Sequence, residues 1–331
     1  MRHVKNTTLV ARVRRTIRER ALIAPGSTVL CACSGGPDSA ALLACLARLA
    51  DDLGIALAAA SVDHGLRPEA GADVDIAAEQ AKRVGVPFHA LRVQVEPGPA
   101  LQARARDQRY AVLFDLSRRL RADRLAVGHT QDDQAETVLA RLLRGASIQG
   151  LRAIRPRRAD GVIRPLIDSR RVAVHAFARE CFEQVAIDRS NADLRFERVR
   201  IRSHVLPALE AENRALVPHL AQLADDAREH MQLIDGLVDD LWPRVATDPE
   251  TLEISGLLAQ PVALRKAVLL RFIDQATGVN IGRAELTQLD HIVCRRAGEV
   301  WLSAGYSVYI HASETGRLRV RKRSGDSSRE G

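Results

Sequence analysis

What most constrains this chain is a regular alternation, from Thr28 to Arg144, of short apolar runs with amphipathic stretches. Residues 29–33 precede a helical pattern at 39–49, and 56–62 precede one at 73–84. The same order recurs at 87–93 with 103–120, and at 125–127 with 133–144. Each run is of strand length, and each following stretch spaces its Leu, Val and Ala at the helical period. Strand and helix repeated four times predict an α/β fold, a Rossmann-like parallel sheet with helices on both faces. In such a sheet the ligand lies beyond the carboxyl ends of the strands. Those ends carry Ser34-Gly35-Gly36-Pro37-Asp38-Ser39, Asp63-His64-Gly65, Glu96-Pro97-Gly98-Pro99 and Gly128-His129, all polar or glycine-rich.

Beyond Gly145 the pattern breaks. An Arg-rich, irregular stretch to about Arg171 reads as an exposed connection, and helical periodicity returns over 171–184 and 200–209. A long helical reading over 215–241 is ended by Trp242-Pro243. Helical patterns at 264–275 and 284–293, and strand-like runs near Trp301 and over 306–310, predict a smaller C-terminal α+β domain. The expected organisation is a first domain over 1–210 with an Arg-rich extension over 145–205. A helical linker over 211–243, a second domain over 244–321 and a disordered polar tail over 322–331 complete it. The basic first twenty residues read as a helix of the first domain carrying Val10, Val13 and Ile17.

Composition narrows the class of partner. The net charge is +8. Between Arg141 and Arg202 there are fifteen arginines and no lysine against seven acids, an excess as large as that of the whole chain. Such a stretch predicts a partner rich in phosphates. The five cysteines form no CxxC pair, and an odd number argues against a disulfide framework, so a reducing compartment is expected. Cys31 and Cys33 alternate on an apolar run and read as small buried hydrophobes. No run approaches a membrane span and no signal-peptide pattern opens the chain, so a soluble, cytoplasmic protein is expected.

The chemistry is carried by Ser34-Gly-Gly-Pro-Asp-Ser39, between a strand and an Ala/Leu-rich helix. Glycines let backbone amides approach a phosphate, and the helix start adds unpaired N–H groups. The lysine of a Walker A loop and the GxGxxG fingerprint are both absent, which weakens the corresponding readings. Asp38 is a carboxylate inside an anion site, repulsive unless a cation bridges it, and Mg2+ is the expected cation. Asp133 and Glu136, three apart on one helix face, point together.

The loop resembles the signature of the N-type ATP pyrophosphatases, the PP-loop superfamily whose sheet is of the adenine nucleotide alpha hydrolase type. The motifs Val62-Asp-His-Gly-Leu-Arg67, Ala103 to Tyr110 (ARARDQRY), Gly128 to Thr137 (GHTQDDQAET), Arg144-Gly145 with Gly150-Leu151, Arg164-Pro-Leu166, Asp188 to Asp193 and Arg198 to Pro207 narrow the likeness. Together they resemble the tRNA(Ile)-lysidine synthetase family, in order over about residues 20–210. Thr130, Val185 and Val199 depart from the family pattern, and no role is assigned to them.

The resemblance implies a ligase that forms a carbon–nitrogen bond, joining free L-lysine to C2 of the wobble cytidine in the CAU-anticodon tRNA-Ile. ATP and Mg2+ are the implied cofactors, and AMP and diphosphate leave. Ser34, Gly35, Gly36, Pro37, Asp38 and Ser39 would bind ATP, with Asp38 also holding the metal. The implied catalytic set is Asp38, Asp133, Glu136, Arg109 and Arg202. Within it the acid pair would take lysine or orient its amine, and the two arginines would neutralise charge on the α-phosphate. Asp63, His64 and His129 are candidates for touching the nucleotide, with a proton-accepting role open for either histidine. Arg152, Arg155, Arg157 and Arg158 would contact tRNA, and the C-terminal Arg317, Arg319, Arg321 and Lys322 would grip it elsewhere. No obligate protein partner and no membrane is expected. The nearest alternative is a PP-loop tRNA thiolation enzyme, which usually brings paired cysteines or an iron–sulfur cluster.

Overall fold

The computed structural model describes residues 3–63, 65, 70–94, 98, 101–186, 193–302, 305–311 and 316–322. His64, the 96–99 strand end apart from Gly98, most of the 188–193 motif and the tail from 323 lie outside them. The chain forms two compact units, residues 1–227 and 228–331.

The first unit opens with α1 (His3–Glu19), then alternates β1 (Thr28–Ala32), α2 (Pro37–Leu53), β2 (Ala56–Asp63), α3 (Ala70–Arg83), β3 (Phe88–Arg92), α4 (Leu101–Arg119), β4 (Arg124–Ala126) and α5 (Gln131–Leu143). A short α6 (Ile148–Leu151), β5 (Val162–Ile163), α7 (Arg171–Cys181), α8 (Glu197–Arg200), a π-turn (Ile201–Val205) and α9 (Leu206–Glu212) follow. The sheet runs β3-β2-β1-β4-β5 and every pairing is parallel. Its order reverses between β1 and β4, and the crevice of a doubly wound sheet opens at such a switch point.

Side chains on β1 alternate between two cores, as the pleat requires. Val29, Cys31 and Cys33 pack with α1, α2, α3 and α7, while Leu30 packs with Tyr110, Leu113 and Leu116 of α4. The helices therefore cover both faces. Cys31, Cys33 and Cys45 are buried in the first of these cores, where burial pushes the Cys45 thiol well up. Helix α1 is bound to the same core through Leu9, Val13 and Ile17, with Val10 only partly covered.

Three expectations change. The stretch 145–171 is not merely an exposed connection, because Val162, Ile163, Leu166 and Ile167 are buried and β5 adds a fifth strand beside β4. The long helix, α10 (Leu216–Val245), runs through Pro243. In the last turn a proline removes only one ladder bond, so it need not end the helix. The first unit also extends past 210, since Val217, Leu220 and Ala224 share a core with Ala135 and Val138.

The second unit holds the end of α10, then β6 (Ala246–Asp248), β7 (Thr251–Glu253), α11 (Ser255–Leu258), α12 (Val262–Thr277), α13 (Arg283–Arg295), β8 (Gly298–Leu302), β9 (Tyr306–Ile310) and β10 (Arg317–Lys322). Its sheet, ordered β6-β7-β10-β9-β8, is antiparallel. Lys322, expected in the tail, closes β10.

Candidate active site

The loop at the end of β1 is held in one conformation by contacts only its own residues allow. Gly35 has φ +75°, and a Cβ there would lie 2.7 Å from the Asp73 carbonyl oxygen, so any other residue is excluded. Its carbonyl accepts bonds from Gln80 Nε2 at 2.9 Å and Ala186 N at 2.9 Å. Gly36 caps α2 and Pro37 stands at its first position, where a missing N–H costs nothing. Ser39 Oγ donates to the Gly36 carbonyl at 3.0 Å and accepts from Ser34 N at 3.1 Å, and the two serine hydroxyls lie 3.3 Å apart. At the end of β4, Gly128 approaches so closely that a Cβ would meet the Asp38 carbonyl carbon at 3.1 Å.

Asp38 stands in the first turn of α2, and His175 Nε2 on α7 lies 3.0 Å from its Oδ1. Nothing in the sequence singled out His175; its place beside Asp38 follows from the packing of α7 on α2. Among the described residues no group of three or more His, Cys, Asp or Glu could enclose a metal. One partly exposed carboxylate beside a phosphate loop nevertheless suits Mg2+, which keeps several waters and is held by one or two carboxylates with substrate phosphates.

The acid pair lies on α5. Thr130 caps this helix: its N–H and its hydroxyl donate to Asp133 Oδ2 at 2.7 and 2.8 Å, and its Oγ1 accepts from Asp133 N. Thr130 thus acquires a structural role. Asp133 Oδ1 receives Arg198 Nη2 at 2.6 Å and Arg171 Nη2 at 2.8 Å. Glu136, 1% exposed, receives Arg171 Nη1 and Arg202 Nε at 2.7 Å on Oε1. Its Oε2 takes Arg198 Nε and Arg202 Nη2 at 3.0 Å. Burial pushes both carboxyls up, but the hydrogen bond from Arg202 and the charge of Arg171 on Glu136, and the charges of Arg171 and Arg198 on Asp133, outweigh it. Both are held below the usual carboxylate range. Next to the pair, Asp132 accepts Arg171 N at 2.6 Å and pairs with Arg170, which also binds Glu210.

The two acids meet as their spacing implied, and Arg202 joins them. Arg109 does not; it lies on α4 beside Tyr110. Arg171 and Arg198 were missed as site residues, because their contacts with α5 are made across 35 to 65 positions of chain. Several members of the basic stretch are thus spent internally. Arg164 is buried and donates to the Arg155 carbonyl at 2.5 Å and to His129 Nδ1 at 3.3 Å. Burial, with Arg164, Arg198 and Arg106 nearby, pushes His129 down to about 3 against the pull of Asp133. His129 is therefore neutral near pH 7.

Asp63 Oδ1 accepts Gly65 N at 2.8 Å, a turn contact beside the loop. Arg152 bonds the Gln149 carbonyl at 3.2 Å, Arg157 the Ala21 carbonyl at 3.4 Å, and Arg158 pairs with Asp160. Arg155 and Arg157 are exposed.

A doubly wound parallel sheet with a Ser-Gly-Gly-Pro-Asp-Ser loop after its central strand defines a PP-loop ATP-binding protein, and a model of the PP-loop domain matches residues 6–209. Relatives narrow this further. The tRNA(Ile)-lysidine synthase of Symbiobacterium thermophilum is 35% identical over 94% of this chain and 68% of its own length. That of Methylobacterium nodulans is 37% identical over 83% of each, and that of Aromatoleum aromaticum 43% identical over 67% of this chain and 51% of its own. The chain belongs to the tRNA(Ile)-lysidine synthase family. The U34-tRNA thiolase NcsA from Methanococcus maripaludis, solved with its 4Fe-4S cluster, shares the fold at TM-score 0.56 and 19% identity, covering 68% of this chain and 80% of that one.

Proposed function

We propose that this protein is a ligase that uses ATP to join free L-lysine to C2 of the wobble cytidine of the CAU-anticodon tRNA-Ile in the cytoplasm. The observation that carries the reading is the glycine loop at the switch point of the sheet, in a chain whose relatives bear that enzyme's name. The cytidine C2 oxygen is a poor leaving group, so it first attacks the α-phosphorus of ATP; the Pα–O bond breaks and diphosphate departs. The lysine amine then forms the C2–N bond as the C2–O bond to AMP breaks, and the amine gives up a proton.

In this reading the amides of the loop and of the first turn of α2 cradle the departing diphosphate. The Ser34–Ser39 contact keeps the cradle in shape before ATP arrives. Asp38 would hold Mg2+, which neutralises phosphate charge when bound. His175 fixes the direction of the Asp38 carboxylate. The acid pair carries two negative charges against three guanidiniums, so a cationic lysine enters only as an arginine withdraws. Arg198, 46% exposed against 16% for Arg171 and 29% for Arg202, is the most accessible of the three.

The thiolation alternative needs sulfur-transfer or cluster ligands. Cys31, Cys33 and Cys45 are buried in the core instead, and the thiolase likeness concerns the fold alone. No helix among the described residues is long and apolar enough to cross a membrane.

The test is incubation with ATP, Mg2+, labelled lysine and each of the two CAU tRNAs, followed by nucleoside analysis. Lysine-dependent modification of tRNA-Ile alone is expected, and Asp38→Ala should abolish diphosphate release. Turnover that demands a sulfur donor, or proceeds without tRNA, would overturn the reading.

A further inference from the structure

The first half of α4 gathers positive charge on the face of the sheet opposite α2. Tyr110 is buried in the α4 core and pairs with Phe114 at 5.9 Å. Three guanidinium carbons stand around its ring, Arg158 at 5.4 Å, Arg106 at 5.5 Å and Arg109 at 5.6 Å. The Tyr110 hydroxyl is buried and hydrogen-bonds no described residue. Arg164, also buried, is close enough to feel the charges of Arg158 and Arg106.

Compensation is thin. Of these four arginines only Arg158 has a carboxylate partner, Asp160; among the described residues Arg106 and Arg109 have none. A ring face offsets a nearby cation only weakly compared with a carboxylate, and one ring is shared here by three. Burial, with Arg106 adding, lowers the affinity of the Arg109 guanidinium for its proton, the mark of a cation short of counter-charge. A phosphate would supply it, since guanidinium forks bind phosphate oxygens in pairs and the idle hydroxyl can donate to a third.

We propose that Arg106, Arg109, Arg158 and the Tyr110 hydroxyl form a second phosphate site, which holds a backbone phosphodiester of the RNA substrate beside the reacting nucleotide. This rests on the proposed function and moves Arg109 from the nucleotide to the RNA. Three observations favour RNA over ATP. The glycine loop leads into α2, on the other face of the sheet, and none of the four guanidiniums bonds to residues 34–39. The segment that supplies Arg158 also carries the exposed Arg155 and Arg157. His129, just after β4, and Arg164, just after β5, both feel the charge of Arg106, so Arg106 stands near the carboxyl edge that an unstacked base has to reach.

Two variants test this, Arg106→Gln on the surface and Tyr110→Phe in the interior. A CAU-anticodon tRNA-Ile transcript serves as probe, with its Kd measured by filter binding over a range of KCl and the Kd for Mg-ATP measured by calorimetry. Losing one phosphate contact should weaken RNA binding about three- to tenfold and reduce the salt slope by about one for Arg106→Gln. Tyr110→Phe should weaken RNA binding without lowering the thermal midpoint, because the lost hydroxyl has no partner in the free protein. The ATP affinity of both should stay at the wild-type value. Unchanged RNA affinity and slope in both variants, or ATP affinity falling in step with RNA affinity, overturns the site. Failure of wild-type protein to make lysidine sinks the proposed function instead; the ratios of variant to wild type are readable with any CAU tRNA that the wild type binds.

Discussion

Replacing Glu136 by Gln isolates the charge that organises the acid–arginine cluster. The carboxylate is buried and receives four bonds from three guanidiniums, at 2.7, 2.7, 3.0 and 3.0 Å. Glutamine keeps the shape, but one of its two terminal atoms becomes a donor that faces the donors of Arg198 and Arg202 or of Arg171 and Arg202. At least two charge-assisted bonds are lost, each about 1.5–3 kcal/mol. Three guanidiniums then face Asp133 alone. Breaking a buried pair in this way costs about 3–5 kcal/mol, a large part of the roughly 5–15 kcal/mol that holds a domain together. For a unit of this size each kcal/mol lowers Tm by roughly 2–4 °C, so a drop of about 6–20 °C is expected. Scanning calorimetry on the full chain reads the shift. Trp242 and Trp301, the two tryptophans, both lie in the second unit, so tryptophan fluorescence follows that unit as an internal control. A change below about 2 °C would refute the reasoning, because it would mean that water replaces the carboxylate without penalty.

Two further outcomes follow from the same geometry. Asp133 and Glu136 have folded-state pKa values below their unfolded ones, so their stabilisation is complete above the ordinary carboxylate values of about 4 and is lost as pH falls through the lowered folded values. The stability gap between wild type and Glu136→Gln should therefore narrow below about pH 4 in circular-dichroism melts, and a gap constant to lower pH would contradict this. Gly35→Ala adds about 1–2 kcal/mol of left-handed strain and a Cβ contact of 2.7 Å with the Asp73 carbonyl, so the loop has to move. Calorimetry should show ATP binding weakened about tenfold or more, each factor of ten corresponding to about 1.4 kcal/mol, and wild-type affinity would exclude the loop as the cradle.

The parallel sheet, its four longer strands and the glycine loop were legible in the chain because each depends on neighbours in sequence. Apolar runs at period two, helices at period 3.6, and a loop whose Gly35 alone tolerates its backbone angle are all local facts. The meeting of Asp133 with Glu136 was also local, being set by one helical turn. What the sequence could not show is which charges cancel. Arg171 and Arg198 fall in a stretch that reads as facing RNA, and Arg202 reads as a partner of the α-phosphate, yet all three end on α5, and His175 ends on Asp38, because the packing of α7, α8 and the π-turn brings them there. β5, only two residues long, becomes a strand through pairing with β4. Electrostatic partnership acts through space across tens of residues of chain, so tertiary structure alone decided which arginines are spent inside and which, like Arg106, pair with no described carboxylate.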